Sequence, residues 1–293
     1  MIASCIDRLL HETRRLIGRI LASGRLHRIQ YSNVDGAEIV LKSRRFGSGV
    51  AIVVGNLYLH LQRGNVEVLT DREWLRWELA VESATNCDIV IRSHSSPHEN
   101  FRGLISRVSP GLPLRNILID SIRSFDEKFA AIRWAMAALH QLHRHQADWG
   151  NGIQQSISHG DATVNNVIVN SKTQSARWID FDTRHLPRLP EPDRHADDLR
   201  ALIFSAAANL PRSCFPHLAA EFVASSPTSV VHQFRQRLTT DWYRPNTFQL
   251  AQAPLSWKDS ADLSQALLQA LPVIGTPLTG GIAAQSATPF IAR

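Results

Sequence analysis

One polar run between two apolar stretches constrains this chain more than any other feature of its sequence. Residues 158–169 read SHGDATVNNVIV, so that Asp161 and Asn166 lie five positions apart just before an apolar stretch. Asp180 follows at the end of a second apolar stretch, in the run WIDFD at residues 178–182. Isolated runs of Asp, Asn and Gly are usually turns. Here the order, the spacing and the flanking stretches agree with one another, which favours a catalytic site.

Three oxygen-bearing side chains in this order suit phosphoryl transfer from ATP. A carboxylate can orient an acceptor hydroxyl and take its proton, and two further oxygen donors can hold Mg²⁺ against the phosphates. The pattern predicts Asp161 as the catalytic carboxylate, with Asn166 and Asp180 as metal ligands that hold the nucleotide. Asp182 is a further candidate, either for a second metal or as the partner of a nearby cation. The predicted cofactors are therefore ATP and Mg²⁺.

At these positions the sequence resembles the protein-kinase-like superfamily, in particular its small-molecule branch of aminoglycoside and choline kinases. The catalytic loop of that branch usually reads HGDxxxxN, and residues 159–166 read HGDATVNN. Its magnesium motif often reads I-D-[FW]-[DE], and residues 179–182 read IDFD. With the preceding Trp178, the run is most similar to the lipopolysaccharide sugar kinases. Thr163 stands where protein kinases have a catalytic-loop Lys, which favours a small-molecule acceptor.

The resemblance implies a two-lobed α+β fold, in which nucleotide binds between a small β-rich lobe and a larger helical lobe. The chain agrees with it, because strand-like runs and one helix come first and helices follow. We expect the first lobe over residues 1–107 and the second over residues 108–293, with a flexible tail from about residue 274. A strand is predicted at residues 104–108, and the run SPGLPL at residues 109–114 resembles the family segment that joins the lobes.

The first lobe is predicted to contain a sheet. Apolar runs at residues 39–41, 50–54 and 57–61 have the composition of strands, and Gly55-Asn56 between the last two is typical of a hairpin turn. The stretch FGSG at residues 46–49 precedes them. A glycine-rich loop between strands can bring backbone N–H groups close to phosphates, although a plain turn is the commoner outcome.

The family implies a strand Lys that contacts the α- and β-phosphates and pairs with a helix Glu. On this strand assignment His60 occupies the place of that Lys, and Lys42 on an earlier strand is the other candidate. Residues 71–83 are predicted to form the helix. Glu73 and Glu78 are its candidate glutamates, and because they lie on different faces at most one can serve. We take His60 and Glu78 as the nucleotide-binding pair.

Helical periodicity and capping residues predict further helices later in the chain. One begins at a capping box at Ser124 and continues to about Arg144, and others lie near residues 194–202, 216–225, 230–239 and 260–271. The family implies an Asp near residue 194 that hydrogen-bonds the catalytic loop, for which Asp197 and Asp198 are candidates. The cluster of His140, His143 and His145 is interpreted as structural, because it lacks the spacing and acidic companion of a metal site.

Charge points to anionic partners. The net charge of +6 fits ATP, a phosphorylated sugar or an anionic membrane surface, and no feature of the chain indicates nucleic-acid binding. Residues 6–22 are predicted to form a basic amphipathic helix. That helix either caps the first lobe or lies on the membrane surface, and the first interpretation is favoured.

The cysteines and the apolar runs bear on the compartment. Cys5, Cys87 and Cys214 are far apart, with neither disulfide nor metal-ligand spacing, which fits a reducing environment. No apolar run approaches the roughly 20 residues of a membrane span, and the N-terminal residues lack a continuous apolar segment of the signal-peptide type. We therefore expect a cytoplasmic protein.

Three functions are compatible with these motifs. The leading hypothesis is an ATP- and Mg²⁺-dependent phosphotransferase that acts on a hydroxyl of a small molecule or sugar, with a lipopolysaccharide sugar among the acceptors. The second is a pseudokinase, which binds nucleotide or a partner without turnover; the lack of a Lys at the place of His60 favours it. A protein Ser/Thr kinase ranks third, because the Arg-Asp form of the loop and its Lys are absent.

Overall fold

Helices and small antiparallel sheets together give the chain an α+β architecture. The structure is a computed structural model, and it describes residues 26–34, 37–61, 64–85, 103–149, 152–240 and 255–271. The strands are β1 (His27–Val34), β2 (Ala37–Arg44), β3 (Val66–Val68), β4 (Gly103–Arg107), β5 (Leu112–Pro113), β6 (Gln146–Asp148), β7 (Gln154–Ser156), β8 (Val167–Asn170), β9 (Ser175–Trp178) and β10 (Thr183–His185). The helices are α1 (Ser48–Leu61), α2 (Asp71–Thr85), α3 (Leu114–Ile119), α4 (Phe125–Arg144), α5 (Glu191–Ala207), α6 (Phe215–Ser225), α7 (Thr228–Thr240) and α8 (Trp257–Ala270), and a 3₁₀ turn at Arg212–Cys214 precedes α6.

Two three-stranded sheets lie beside the polar runs at residues 158–166 and 178–182. The first has the order β1-β2-β4, and both neighbours run antiparallel to β2. In its register Lys42 lies opposite Ile29 of β1 and Leu104 of β4. The second sheet has the order β5-β8-β9. Two-stranded pairs form between β3 and β10 and between β6 and β7, and the first of these brings residues 66–68 beside the segment that follows WIDFD.

The main hydrophobic core surrounds α4. This helix begins at the predicted capping box, in which the Ser124 and Glu127 side chains each bind the backbone N–H of the other residue. Its buried face includes Phe129, Ile132 and Met136, and it packs against β9, α5 and α6. A smaller cluster lies between α1 and β3, where Ile52, Leu59, Val66 and Val68 pack together.

Helix α1 overturns one prediction. The two strands expected at residues 50–54 and 57–61, with a hairpin turn between them, are wrong because residues 48–61 form one helix. The run is apolar throughout instead of alternating, and such a run does not distinguish a helix from a strand. Asn56 does not turn the chain: its amide donates to Val68 O at 2.8 Å and accepts from Val68 N at 2.7 Å. Residues 46–49 do not form a glycine-rich loop between two strands: residues 46–47 are a turn, the outcome that the sequence favoured, and Ser48 and Gly49 begin the helix.

The other regular elements agree with the sequence. The runs at residues 39–41 and 104–108 fall in β2 and β4, the helix at residues 71–83 is α2, and the later helices are α4 to α8. The predicted helix at residues 6–22 and the tail from about residue 274 lie outside the described residues. Among the residues that the structure describes, no helix has both the length and the apolar character needed to cross a membrane.

Candidate functional site

The loop between β7 and β8 holds Asp161 and Asn166 side by side. The Asn166 amide nitrogen donates to the Asp161 carbonyl oxygen at 2.8 Å and to its Oδ2 at 3.0 Å. Both side chains belong to buried residues. Because the amide nitrogen is used in this way, the Asn166 Oδ1 is the atom that could bind a cation. The backbone links this loop to the run WIDFD at residues 178–182, since Ile179 N donates to Asn166 O at 2.9 Å.

Gly160 is required by the conformation of the loop. Its φ is +80°, a value that residues with a side chain rarely adopt. A Cβ at this position would also lie 3.1 Å from the backbone nitrogen of Arg184. The preceding residue holds the loop in place: His159 Nε2 lies 2.8 Å from Ile179 O, and its ring packs against Phe181 with centroids 4.6 Å apart.

Asp198 on α5 holds the same loop through hydrogen bonds to its backbone. Its carboxylate accepts from His159 N at 2.7 Å and from Gly160 N at 2.8 Å. It also lies 2.9 Å from Nε2 of His143, whose ring stacks on His195. Burial opposes its negative charge, but the neighbouring histidines and these hydrogen bonds outweigh burial and lower the pKa of Asp198. Asp198 is therefore the residue that bonds the loop backbone, and His143 of the histidine cluster contacts its carboxylate.

Lys42 on β2 connects the first sheet to Asp180, in the run WIDFD, through a side-chain contact. Its Nζ lies 3.4 Å from Oε2 of Glu78 on α2 and also contacts Oδ1 of Asp180. The indole nitrogen of Trp74 donates to the same Glu78 oxygen. Burial disfavours the Lys42 ammonium, but Asp180 and then Glu78 outweigh burial and raise its pKa. Asp180 shows the reciprocal effect: burial alone would raise its pKa, and Lys42 lowers it to about 2.

The assignment of His60 to the nucleotide site is wrong in this fold. His60 is an exposed residue in the last turn of α1, and Lys42 is the cation that reaches Glu78 and Asp180. The error follows from the strand prediction, which placed His60 on a sheet that does not exist there. Glu73 is also excluded as the helix partner, because its carboxylate caps α2 by accepting from Thr70 N at 3.1 Å and from its hydroxyl at 2.6 Å.

Asp182 lies near Asp180, and His27, which the sequence did not indicate, lies beside both. We call these three residues the acidic centre. His27 Nδ1 lies 3.6 Å from Asp182 Oδ2, and one ligand atom from each of His27, Asp180 and Asp182 falls within 4.8 Å of the others. Burial, and then the charge of Asp180, raises the pKa of Asp182 to about 8. Burial and Lys42 lower the pKa of His27 to about 2. Carboxylate oxygens are the ligands that Mg²⁺ prefers, so Asp180 and Asp182 are suited to that ion.

A cavity of about 340 Å³ lies beside these residues, between the first sheet and strands β8 and β9. Ile29, Val40, Leu104, Val108 and Ile168 supply much of its apolar lining. Lys42, Glu78 and Asp180 also line it, together with the pair Glu82 and Arg177, whose charged groups are 3.8 Å apart. This volume falls in the range of about 300–1,000 Å³ that is typical of small-molecule sites.

The structure brings together every predicted site residue except His60. Asp161, Asn166, Asp180 and Asp182 occupy two loops that share hydrogen bonds, and Lys42 takes the place expected for His60 beside Glu78. No sequence pattern could reveal His27, because its proximity to Asp180 and Asp182 depends on the pairing of β1 with β2. No protein-family model matches the sequence, and no curated protein matches it either.

Proposed function

We propose that the protein is an ATP- and Mg²⁺-dependent phosphotransferase, which transfers the γ-phosphate to a hydroxyl of a small molecule or sugar, with lipopolysaccharide sugars among the candidate acceptors. The observation that carries the proposal is the position of Lys42. It lies between Glu78 and Asp180 at the wall of the cavity, and the residue before Asp180 is hydrogen-bonded to the loop that holds the Asp161–Asn166 pair. A buried cation, two carboxylates and a carboxylate–amide pair are the parts that phosphoryl transfer requires.

Each residue would have one role. The apolar lining of the cavity suits a nucleotide base, and Lys42 would contact the phosphates. Asn166 and Asp180 would hold Mg²⁺, which when bound neutralises charge on the transferred group. Asp161 would orient the acceptor hydroxyl and accept its proton. His159, Gly160 and Asp198 keep that carboxylate in place through the backbone of the loop.

The proposal includes a two-lobed arrangement of the protein-kinase-like type. The sheet β1-β2-β4 with α2 would form the small lobe, and the part of the chain from residue 108 onward would form the large one. The cavity lies between elements of both. The order of the elements supports this division, since a lysine-bearing strand, a glutamate-bearing helix and a further strand precede the catalytic loop and the magnesium motif.

A pseudokinase remains the alternative to be tested. It was favoured by the lack of a lysine at the place of His60, and Lys42 supplies a cation beside Glu78 instead. No other feature of the described residues favours it over an enzyme.

The decisive experiment is a Mg²⁺-dependent ATP turnover assay against sugar, aminoglycoside and lipid-linked sugar acceptors. Asp161→Asn should lower kcat by about 10²–10⁴-fold, the usual contribution of a positioned general base, while ATP binding is retained. Lys42→Met should weaken nucleotide binding, measured by titration calorimetry. His60→Ala is the matched control and should leave both unchanged, because His60 is exposed on α1. Nucleotide binding by the parent protein without turnover on any acceptor would favour the pseudokinase.

A further inference from the structure

Helix α1 presents two apolar faces, and among the described elements only one of them has a packing partner. Ser48, Ile52, Gly55 and Leu59 face β3 and are buried. The opposite face consists of Phe46, which immediately precedes the helix, with Val50, Val53, Val54, Leu57 and Leu61; we call these six residues the outer face of α1. Exposure along it ranges from 51% at Val54 to 110% at Phe46. It accounts for six of the 14 large hydrophobic side chains that are exposed in the described part of the chain.

The outer face is continuous. Its members recur at intervals of three and four residues, which places them along one side of a helix. The buried residues recur in the same way on the other side, and the polar residues Asn56 and His60 lie between the two apolar faces. Contiguous exposed apolar patches of this kind mark sites of protein or membrane interaction.

The length of α1 limits what the outer face can contact. With 14 residues and a rise of about 1.5 Å per residue, the helix is roughly 21 Å long. A bilayer has an apolar interior about 30 Å thick. Since the other side of α1 is fixed to β3, the helix can lie along a surface but cannot enter a bilayer end-on.

Charge around the helix indicates the nature of that surface. Residues 39–66 contain no Asp or Glu, and arginines precede and follow α1, at Arg45 and Arg63. Arg45 is exposed. Exposed apolar side chains can enter the membrane interface, and flanking arginines with no acidic residue nearby in the sequence are attracted to anionic lipids.

We propose that the outer face of α1 docks on an anionic lipid bilayer. Its aliphatic side chains would enter the boundary between the head groups and the acyl chains, and Arg45 would contact lipid phosphate. A second copy of this chain fits less well. In a symmetric contact between two α1 helices the arginines of one copy would meet basic ends of the other, with no carboxylate on either helix to offset the repulsion. The inference does not depend on the proposed function.

Vesicle co-sedimentation of the full chain tests this inference. The probes are vesicles of phosphatidylcholine with phosphatidylglycerol, and vesicles of phosphatidylcholine alone. The parent protein should bind the anionic vesicles and bind the neutral ones at least about tenfold more weakly. Val53→Gln with Leu57→Gln should lower the partition coefficient on anionic vesicles by about tenfold or more, equivalent to about 1.4 kcal/mol. Gln is compatible with a helix, so the fold should be retained.

A matched control removes two exposed isoleucines from another surface. Ile119→Gln with Ile122→Gln, at 54% and 93% exposure, should leave vesicle binding unchanged. Equal binding by the α1 variant and the parent would overturn the inference, because lipid contact would then belong to another segment. A lower unfolding temperature of the α1 variant than of the parent would also overturn it. So would a parent protein that does not bind lipid but forms a dimer in sedimentation equilibrium, if the α1 variant is a monomer. Those results would show that protein covers the outer face.

Discussion

Replacement of Asp198 by Asn should disrupt the loop at residues 158–166 without changing the size of the side chain. The carboxylate accepts from the backbone nitrogens of His159 and Gly160 through its two separate oxygens, at 2.7 and 2.8 Å. An Asn has one oxygen and one NH₂ group, so at least one of these two N–H groups would face a donor. Asp198 is fully buried, and water cannot replace the lost acceptor.

The magnitude follows from these contacts. A buried donor left without an acceptor costs about 1–3 kcal/mol, and the remaining bond loses the extra strength that an ionised acceptor provides, about 1 kcal/mol more. We therefore expect Asp198→Asn to lower the free energy of unfolding by about 2–4 kcal/mol. Urea denaturation with an unchanged m-value would measure it. Glu191→Gln, at the exposed start of the same helix, is the control and should change stability by about 0.5 kcal/mol or less.

The pH dependence gives a second, independent measurement. The folded protein lowers the pKa of Asp198 below the ordinary value of 3.8. For a carboxyl group of this kind the stabilisation is fully present above the ordinary pKa and is lost as the pH falls through the folded one. The stability difference between parent and variant should therefore persist from neutral pH to about pH 4 and narrow only below it. A loss under about 1 kcal/mol at pH 7, or a difference that disappears well above pH 4, would refute the proposed role of Asp198.

Three further changes test neighbouring parts of the structure. Asp180→Ala should weaken Mg²⁺-ATP binding more than binding of metal-free nucleotide in titration calorimetry, because Asp180 is the proposed metal ligand; equal losses would indicate a structural role. Gly160→Ala should lower the free energy of unfolding by about 1–2 kcal/mol, since its φ is +80° and the new Cβ would press on Arg184, and an unchanged urea midpoint would contradict this. Asn56→Ala should cost about 1–3 kcal/mol in the same assay because it removes both bonds to Val68, and a neutral effect would argue against the docking of α1 on β3.

Motifs with local causes were the most predictable parts of this chain. The helix α4 follows from a capping box whose two hydrogen bonds involve residues three positions apart, at Ser124 and Glu127. The loop containing Asp161 and Asn166 is similarly local, and the structure joins the two side chains directly. In both cases the interactions that fix the geometry are encoded within a few residues of one another.

Features that depend on distant pairing were not predictable in the same way. The run of residues 48–61 is apolar on every side, so its pattern is compatible with a strand until the partner that buries it is known. Its misassignment moved the expected cation from Lys42 to His60. His27 approaches Asp182 only because β1 pairs with β2. Its position arises from the tertiary structure and leaves no trace in local spacing. The contact of Trp74 with Glu78 is different, because the two residues are four positions apart on α2.

The half-buried pair of Glu82 and Arg177 leads to a prediction whose pH dependence is opposite in sign to that for Asp198. Burial, and then the like charge of Glu78, raises the pKa of Glu82 from 4.5 to about 8, and Arg177 at 3.8 Å offsets only part of this. Between these two pH values the folded protein holds a proton that the unfolded chain releases, so stability should fall as the pH rises from about 4.5 to 8.

Replacing Glu82 with Gln copies the protonated side chain and removes this penalty. One unit of pKa shift corresponds to about 1.36 kcal/mol, so the full shift would be a large effect. Because Glu82 lines a cavity that admits water, solvent screens this effect. We therefore expect Glu82→Gln to raise the free energy of unfolding by about 1–2 kcal/mol at pH 8. Parent and variant should have the same urea midpoint at pH 4, where both side chains are neutral, and diverge steadily toward pH 8. A variant that is less stable than the parent at pH 8 would show that Glu82 is ionised there and held by Arg177, and that the cavity wall carries a charge at the pH where nucleotide would bind.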